Sequence, residues 1–236
     1  TEEQTQFQSL YGSAPGSIEV LAPGVERAFF SPGDRRGARH ALGLGTGPML
    51  LFVGRIQPLK GLDVAVRTLA ELGRNDAQLI VVGGASGVEG ALELARVEAL
   101  IQELGLVGRV KFYEPQPHHL LSTFYRAADV VLVPSRSESF GLVALEAAAC
   151  GIPVVATAVG GLMNLIEDGK TGFLVPGRDV AGFARFTRRL LDDSLLAISM
   201  GTAAAHRAQS YSWKSAALKA RSVYTELLER DLVACS

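Results

Sequence analysis

Two cations and two carboxylates in this chain have types and spacings that suit one ligand. Arg55 and Lys60 bracket a short proline-containing loop that follows an apolar run. A planar guanidinium with a point-charge ammonium matches a diphosphate. Taken alone, the pair reads as two solvated loop cations. The segment Glu138-Ser139-Phe140-Gly141-Leu142-Val143-Ala144-Leu145-Glu146 changes that balance. Gly141 lets the backbone approach a bound molecule closely. Ser139 or a neighbour is expected to cap the helix that follows. The amides of Phe140, Gly141, Leu142 and Val143 then face whatever precedes the helix, and a helix N-terminus attracts anions. Glu138 falls just outside this helix and Glu146 inside it. Along an ideal helix, their separation at ~1.5 Å per residue is about 12 Å, enough for a sugar, a diphosphate and a ribose. Carboxylates beside an anion site accept hydrogen bonds from hydroxyls instead of holding phosphate. The bland alternative makes Glu138 a loop charge and Glu146 a helix-surface residue. Against it, Glu146 lies in the otherwise apolar Ala144-Leu145-Glu146-Ala147-Ala148-Ala149-Cys150, where a buried carboxylate needs a partner.

Other candidates carry less. The glycine-rich run 83–90 lacks G-x-G-x-x-G spacing and a following acidic residue, so a nicotinamide site is not supported. It reads as a tight turn at the edge of a cleft. G-x-x-x-x-G-K-[ST] is absent. Gly160-Gly161 is expected to border the cleft, and Asp168-Gly169-Lys170-Thr171-Gly172 reads as a strand–turn–strand connection. His40, His118, His119 and His206 form no metal or triad pattern, and His118-His119 is expected to begin a surface helix. No metal site is expected.

The elements that must position these residues follow from periodicity. Short β-rich runs lie near 18–22, 49–54, 78–83, 109–113, 129–133, 153–156 and 172–175. Several, such as Leu50-Leu51-Phe52-Val53 and Val130-Val131-Leu132-Val133, are apolar without alternation, the pattern of a parallel sheet buried on both faces. Amphipathic stretches alternate with them near 34–43, 61–73, 89–105, 117–127, 141–150, 179–192, 194–209 and 213–230. In 61–73, Leu62, Val66, Leu69 and Leu72 form one buried stripe. The result is an α/β fold, a doubly wound parallel sheet of Rossmann type. Such sheets bind ligands beyond the carboxyl ends of their strands, which is where Arg55, Lys60, Gln116 and Glu138 fall.

Composition sets the outer bounds. The 236 residues carry 23 basic and 24 acidic side chains, giving a net charge of −1. That builds no field for nucleic acid. Apolar residues make up 48% of the chain, enough for a substantial core. No run is long and apolar enough for a membrane span. The two cysteines, Cys150 and Cys235, exclude a disulfide scaffold and fit a reducing cytoplasm. The polar start, Thr1-Glu2-Glu3-Gln4, is not a signal peptide.

With these residues in place, the run from Glu138 to Glu146 resembles the E-x7-E motif of the family 4 retaining glycosyltransferases. That resemblance implies a GT-B fold, two Rossmann-like domains with the active site between them. Val53-Gly54-Arg55 with Lys60 is similar to the family's diphosphate-binding segment. Ala128-Asp129-Val130, Val133-Pro134-Ser135, Gly151-Ile152-Pro153-Val154-Val155-Ala156 and Gly169-Lys170-Thr171-Gly172-Phe173-Leu174-Val175 keep the family's order and spacing. Pro23-Gly24-Val25 with Phe30 and Pro32 is similar to its lead into the second domain. Within the family, residues 53–60, Val81-Val82-Gly83-Gly84 and Pro115-Gln116-Pro117 are most like the branch that moves N-acetylglucosamine from UDP-N-acetylglucosamine to an inositol phosphate in mycothiol synthesis. Sucrose-phosphate-synthase-like and cell-envelope glycan members share several of these features.

The resemblance implies catalytic roles for Arg55, Lys60 and Glu138. The cations hold the diphosphate and stabilise the leaving nucleotide, and Glu138 accepts from donor-sugar hydroxyls. It implies donor contacts from Gly54, from the backbone of Phe140, Gly141, Leu142 and Val143, from Glu146 to the ribose, and from the stretch around Gln116 to the base. The donor is then a UDP-sugar, and magnesium, where present, plays no catalytic part. Residues 1–17 read as the tail of a preceding acceptor domain, 18–209 as the nucleotide-sugar-binding domain, and 210–236 as a helix that crosses back to the absent domain. The apolar face of that helix, with Leu218, Val223, Tyr224 and Leu227, is expected to promote self-association. Alone, the chain is expected to bind donor without turnover. A non-catalytic binding module keeping the fold and a UDP-sugar epimerase are the competing classes.

Some positions depart from the family pattern. Glu26 replaces an aspartate, Glu114 an apolar or glycine residue, and Ile152 a threonine or arginine. Asn164 or its neighbour stands where a carboxylate is usual, in a loop placed by the sequence outside the diphosphate site.

Overall fold

The structure, a computed structural model, describes residues 2–12 and 18–234. Helix α1 (Glu2–Tyr11) precedes the domain, and α2 (Arg35–Ala41) leads into the sheet. The strands are β1 (Met49–Val53), β2 (Gln78–Val82), β3 (Val110–Tyr113), β4 (Val130–Val133), β5 (Val154–Thr157) and β6 (Phe173–Val175). Between them lie α3 (Leu62–Glu71), α4 (Gly87–Glu103), α5 (His118–Ala127), α6 (Leu142–Ala149) and the single turn α7 (Leu162–Leu165). After β6 come α8 (Val180–Asp192), α9 (Ser194–Ala208) and α10 (Trp213–Ala234).

The sheet order is β3-β2-β1-β4-β5-β6, and every pairing is parallel. The order reverses between β1 and β4, which makes the crevice above those two strands the switch point of the fold. Parallel strands need crossover helices, and the helices cover both faces. All four residues of β4 and of β5 are buried, so these strands show no alternation. One apolar layer gathers Leu51, Val131 and Val154 with Tyr125 and Leu145. The opposite layer gathers Leu50, Leu79 and Val130 with Val66, Leu69 and Phe183. Each face of the sheet is thus sealed by its own helices, and the strand ends are left for chemistry.

Three expectations are corrected. The run 18–22 is not a strand and joins no sheet. Its side chains favour extension, but none of its residues pairs with a strand. Side chains meet its carbonyls instead: Gln4 Nε2 donates to Ile18 O at 3.4 Å and Lys219 Nζ to Val20 O at 2.9 Å. The connection from β5 to β6 is only in part the expected turn: 168–172 does turn, with a bridge between Asp168 and Gly172, but α7 precedes it. Ser139 does not cap α6; the cap residue is Gly141, with no side-chain bond. The expected helix within 1–17 is present as α1, while residues 13–17, like Cys235, lie outside the described residues.

No helix among the described residues is long and apolar enough to cross a membrane. Along α10, Trp213, Leu218, Tyr224, Leu227 and Leu228 are exposed, while Val223 is half-buried.

Candidate functional site

The loops after β1 and β4 are built as one unit. After β1, Gly54 N donates to Val82 O at 3.0 Å and Ile56 N to Gly84 O at 2.9 Å, tying this loop to the one after β2. A 3₁₀ turn, Pro58–Lys60, then delivers Lys60 to the start of α3. Arg136 N donates to Leu59 O at 2.8 Å, so the 134–138 loop lies against that turn. Lys60 Nζ therefore meets Glu138 Oε2 at 2.7 Å, with both side chains about one-fifth exposed (22% and 18%). Ser135, buried at the end of β4, has its hydroxyl 3.3 Å from the same oxygen. The sequence placed Lys60 and Glu138 at opposite parts of a ligand; the fold puts them in contact.

Arg55 lies on the same rim, exposed, with no hydrogen bond or ion pair among the described residues. The start of α6 adds unused donors. Gly141 has φ +98, a conformation that non-glycine residues avoid. A side chain there would also strike Leu162. This turn leaves the amides of Phe140, Gly141, Leu142 and Val143 with no partner among the described residues. Leu142 is exposed, while Phe140 is half-buried with its ring edge-on to Tyr211 at 5.6 Å. Because α6 begins at Leu142, residues 138–141 are loop, and the carboxylates are not spaced by one ideal helix.

Glu146 finds the partner that its apolar surroundings require. Tyr125 Oη donates to Glu146 Oε2 at 2.7 Å, and Tyr125 is fully buried. Burial pushes the Glu146 carboxyl above the usual carboxylate range, while the Tyr125 hydrogen bond and nearby His118 pull it back. Just past the end of α6, burial pushes the Cys150 thiol up to about 12, so it stays protonated. Gln116 is half-buried and folds back on its own loop, its Nε2 donating to Glu114 O at 2.9 Å.

A cleft of about 650 Å³ opens beside Glu138, walled by Leu21, Phe140, Gly160, Asn164 and Tyr211 among others. Arg55 and Lys60 do not line it. Gly160-Gly161 borders this cleft, and Gly161 N donates to Glu138 O at 2.8 Å. Asn164 thus stands nearer to Glu138 than its sequence position suggests. His118 and His119 are exposed at the start of α5. No group of three or more metal-binding side chains occurs among the described residues.

The sequence reading missed Tyr125 and Ser135. A signal for the first exists. Leu121, Phe124 and Tyr125 share the buried stripe of α5, and a phenol on that stripe needs a partner as much as Glu146 does. Two buried polar groups lacking partners in sequence are candidates for each other.

Comparison with known proteins adds family context to this geometry. The family model "Glycosyl transferases group 1" matches residues 34–207. The chain is 47% identical over 233 residues to a D-inositol 3-phosphate glycosyltransferase of Acidothermus cellulolyticus, covering 96% of this chain and 52% of that protein. It is 48% identical over 219 residues to the enzyme of that name from Mycobacterium tuberculosis, covering 91% and 45%. The chain spans about half the length of these curated relatives. Its fold is similar to sucrose-phosphate synthase from Thermosynechococcus elongatus, with TM-score 0.87, 35% identity and coverage of 100% of this chain and 58% of that one. It is also similar to Anabaena Alr3699/HepE, solved in complex with UDP and glucose, with TM-score 0.88, 26% identity and coverage of 94% and 60%.

Proposed function

Because the chain belongs to the group 1 glycosyl transferases, we propose that it is the donor-binding, C-terminal half of a retaining glycosyltransferase whose donor is a UDP-sugar. One observation carries the reading: at the switch point of the sheet, the exposed Arg55 and the unpartnered amides of 140–143 lie on the rim that also carries Lys60 and Glu138. Donors in such surplus suit a diphosphate. Arg55 and Lys60 balance the charge that builds on the departing nucleotide, a preorganised electrostatic contribution. Glu138, freed from Lys60 when the diphosphate arrives, accepts from sugar hydroxyls on the side of the 650 Å³ cleft. Glu146 accepts from the ribose, and Gln116 borders the base. These cations and the helix terminus take the part that a divalent metal plays elsewhere.

The UDP held by the Anabaena neighbour supports a uridine donor. The relatives named for D-inositol 3-phosphate support an inositol phosphate as the acceptor of the whole protein. The transferred sugar that goes with this branch is N-acetylglucosamine. Acceptor contacts come from a preceding domain, so this chain alone binds donor without turnover.

Calorimetric titration with UDP, GDP, ADP and UDP-N-acetylglucosamine, with and without magnesium, tests the proposal. The expected result is selective UDP binding, indifferent to magnesium and lost in Arg55→Ala. Absence of binding to every nucleotide, persisting after the preceding domain is restored, would sink it in favour of a non-catalytic module.

A further inference from the structure

Resting on the assignment of Glu146 to the ribose, we infer that Tyr125 is a positioning residue for the donor: its hydroxyl fixes one oxygen of the Glu146 carboxylate so that the other is presented to the ribose diol. Tyr125 Oη donates to Oε2 at 2.7 Å. Oε1 accepts no hydrogen bond among the described residues, and it is not among the buried unpaired atoms. One oxygen is therefore occupied from behind and the other is open.

The phenol cannot drift from this duty. Tyr125 has no exposed surface, and Phe30 packs edge-on against its ring at 5.8 Å and 74°. His118 packs on the other ring of that pair, 5.7 Å from Phe30. Tyr125 and Glu146 stand on α5 and α6, separated in sequence by β4, so the carboxylate is aligned from outside its own helix. Burial and the neighbouring Glu146 push the Tyr125 hydroxyl well above its ordinary range, which keeps it a neutral donor at any working pH. The groups that bear on the pair are His118 of α5 and the Cys150 thiol at the C-cap of α6. Of the contributions to Glu146, burial favours the neutral acid, while Tyr125 and His118 favour the anion. A protonated carboxyl loses acceptor strength toward a diol. Donor affinity should therefore fall as pH drops through the Glu146 titration, and loss of the Tyr125 hydrogen bond should move that fall to higher pH.

A merely structural phenol would satisfy the same distance, so the test reads ribose recognition directly. The chain is titrated calorimetrically with UDP and with 2′,3′-dideoxy-UDP as pH is lowered. Tyr125→Phe is expected to weaken UDP about tenfold, to leave the dideoxy analogue unchanged, and to move the acid loss upward in pH. In Glu146→Gln the acid loss disappears and Tyr125→Phe has no further effect. His118→Asn leaves the Tyr125→Phe effect in place. If Tyr125→Phe fails to fold, 3,5-difluorotyrosine at the same position supplies a stronger donor and should move the acid loss downward. Equal weakening of both ligands by Tyr125→Phe, or an acid loss that neither replacement moves, overturns the inference. A wild-type chain that binds UDP and the dideoxy analogue alike would instead remove the ribose assignment beneath it, and the inference with it.

Discussion

The two ends of the sheet carry ion pairs of similar make and opposite character. At the amino end, Asp129 accepts from Arg35 at 2.8 Å, from Arg39 at 2.6 Å and from Met49 N at 2.7 Å. Arg39 also donates to the carbonyls of Thr46, Gly47 and Ala127. Both Asp129 oxygens and all three guanidinium nitrogens of Arg39 are bonded there, and the cluster ties α2 to the starts of β1 and β4. At the carboxyl end, Glu138 and Lys60 pair, yet Arg55 and the amides of 140–143 have no partner among the described residues. A saturated core of bonds suits a structural role; a cluster with surplus donors suits an anion. Charge alone does not separate the two ends. What separates them is that the backbone amides of 140–143 are unused among the described residues at the carboxyl end, while Asp129 and Arg39 are fully bonded at the other.

That contrast can be broken at either end. The largest effect on folding is expected from Asp129→Ala, which strips the acceptor from two arginines and a strand amide. It should lower unfolding free energy by about 3 kcal/mol in urea melts, while UDP affinity of the folded fraction stays unchanged. An unchanged melt would show that the saturated cluster is not structural. Next comes Lys60→Ala, which should cost UDP affinity ten- to a hundredfold, the range of about 1.5–3 kcal/mol for a charge-assisted contact. Its melt should move by only about 1 kcal/mol, since the Glu138 pair is partly solvated. Glu138→Gln sharpens this by sparing UDP while weakening UDP-sugar. A large stability loss with intact UDP binding in Lys60→Ala would reverse the assignment of the two ends. The smallest effect on stability belongs to α10: Leu218→Glu, on its exposed face, should change the melt by no more than about 0.5 kcal/mol. Sedimentation velocity should show less self-association than for the parent chain. A parent chain that is monomeric at high concentration would remove the expectation of dimerisation through this face.

Much of the site was legible because its logic is local. Residues after buried strands sit on one rim of a doubly wound sheet, so Arg55, Lys60 and Glu138 could be gathered without coordinates. Glu146 was legible as a carboxylate that lacked a partner, but the partner was not. Tyr125 lies 21 residues away, with β4 between, and nothing in periodicity names which buried donor meets which buried acceptor. The run 18–22 shows the complementary failure. Its side chains favour extension, but a strand also needs a neighbour, and the sheet ends at β3 and β6. Ser139 had the chemistry of a cap, yet the chain reaches α6 through a left-handed Gly141, a backbone route that side-chain preference does not reveal.

The order of residues was enough to specify the alternation of buried strands and amphipathic helices, hence the parallel sheet and the rim that carries Arg55, Lys60 and Glu138. These follow from which residues leave water and from the periods of helix and strand, which are properties of short segments. Tertiary structure alone decided that Lys60 rests on Glu138, that Tyr125 holds Glu146, and that Asn164 borders the cleft beside Glu138. Those contacts depend on how loops from separate crossovers pack at one edge, and their distances are set by the whole sheet.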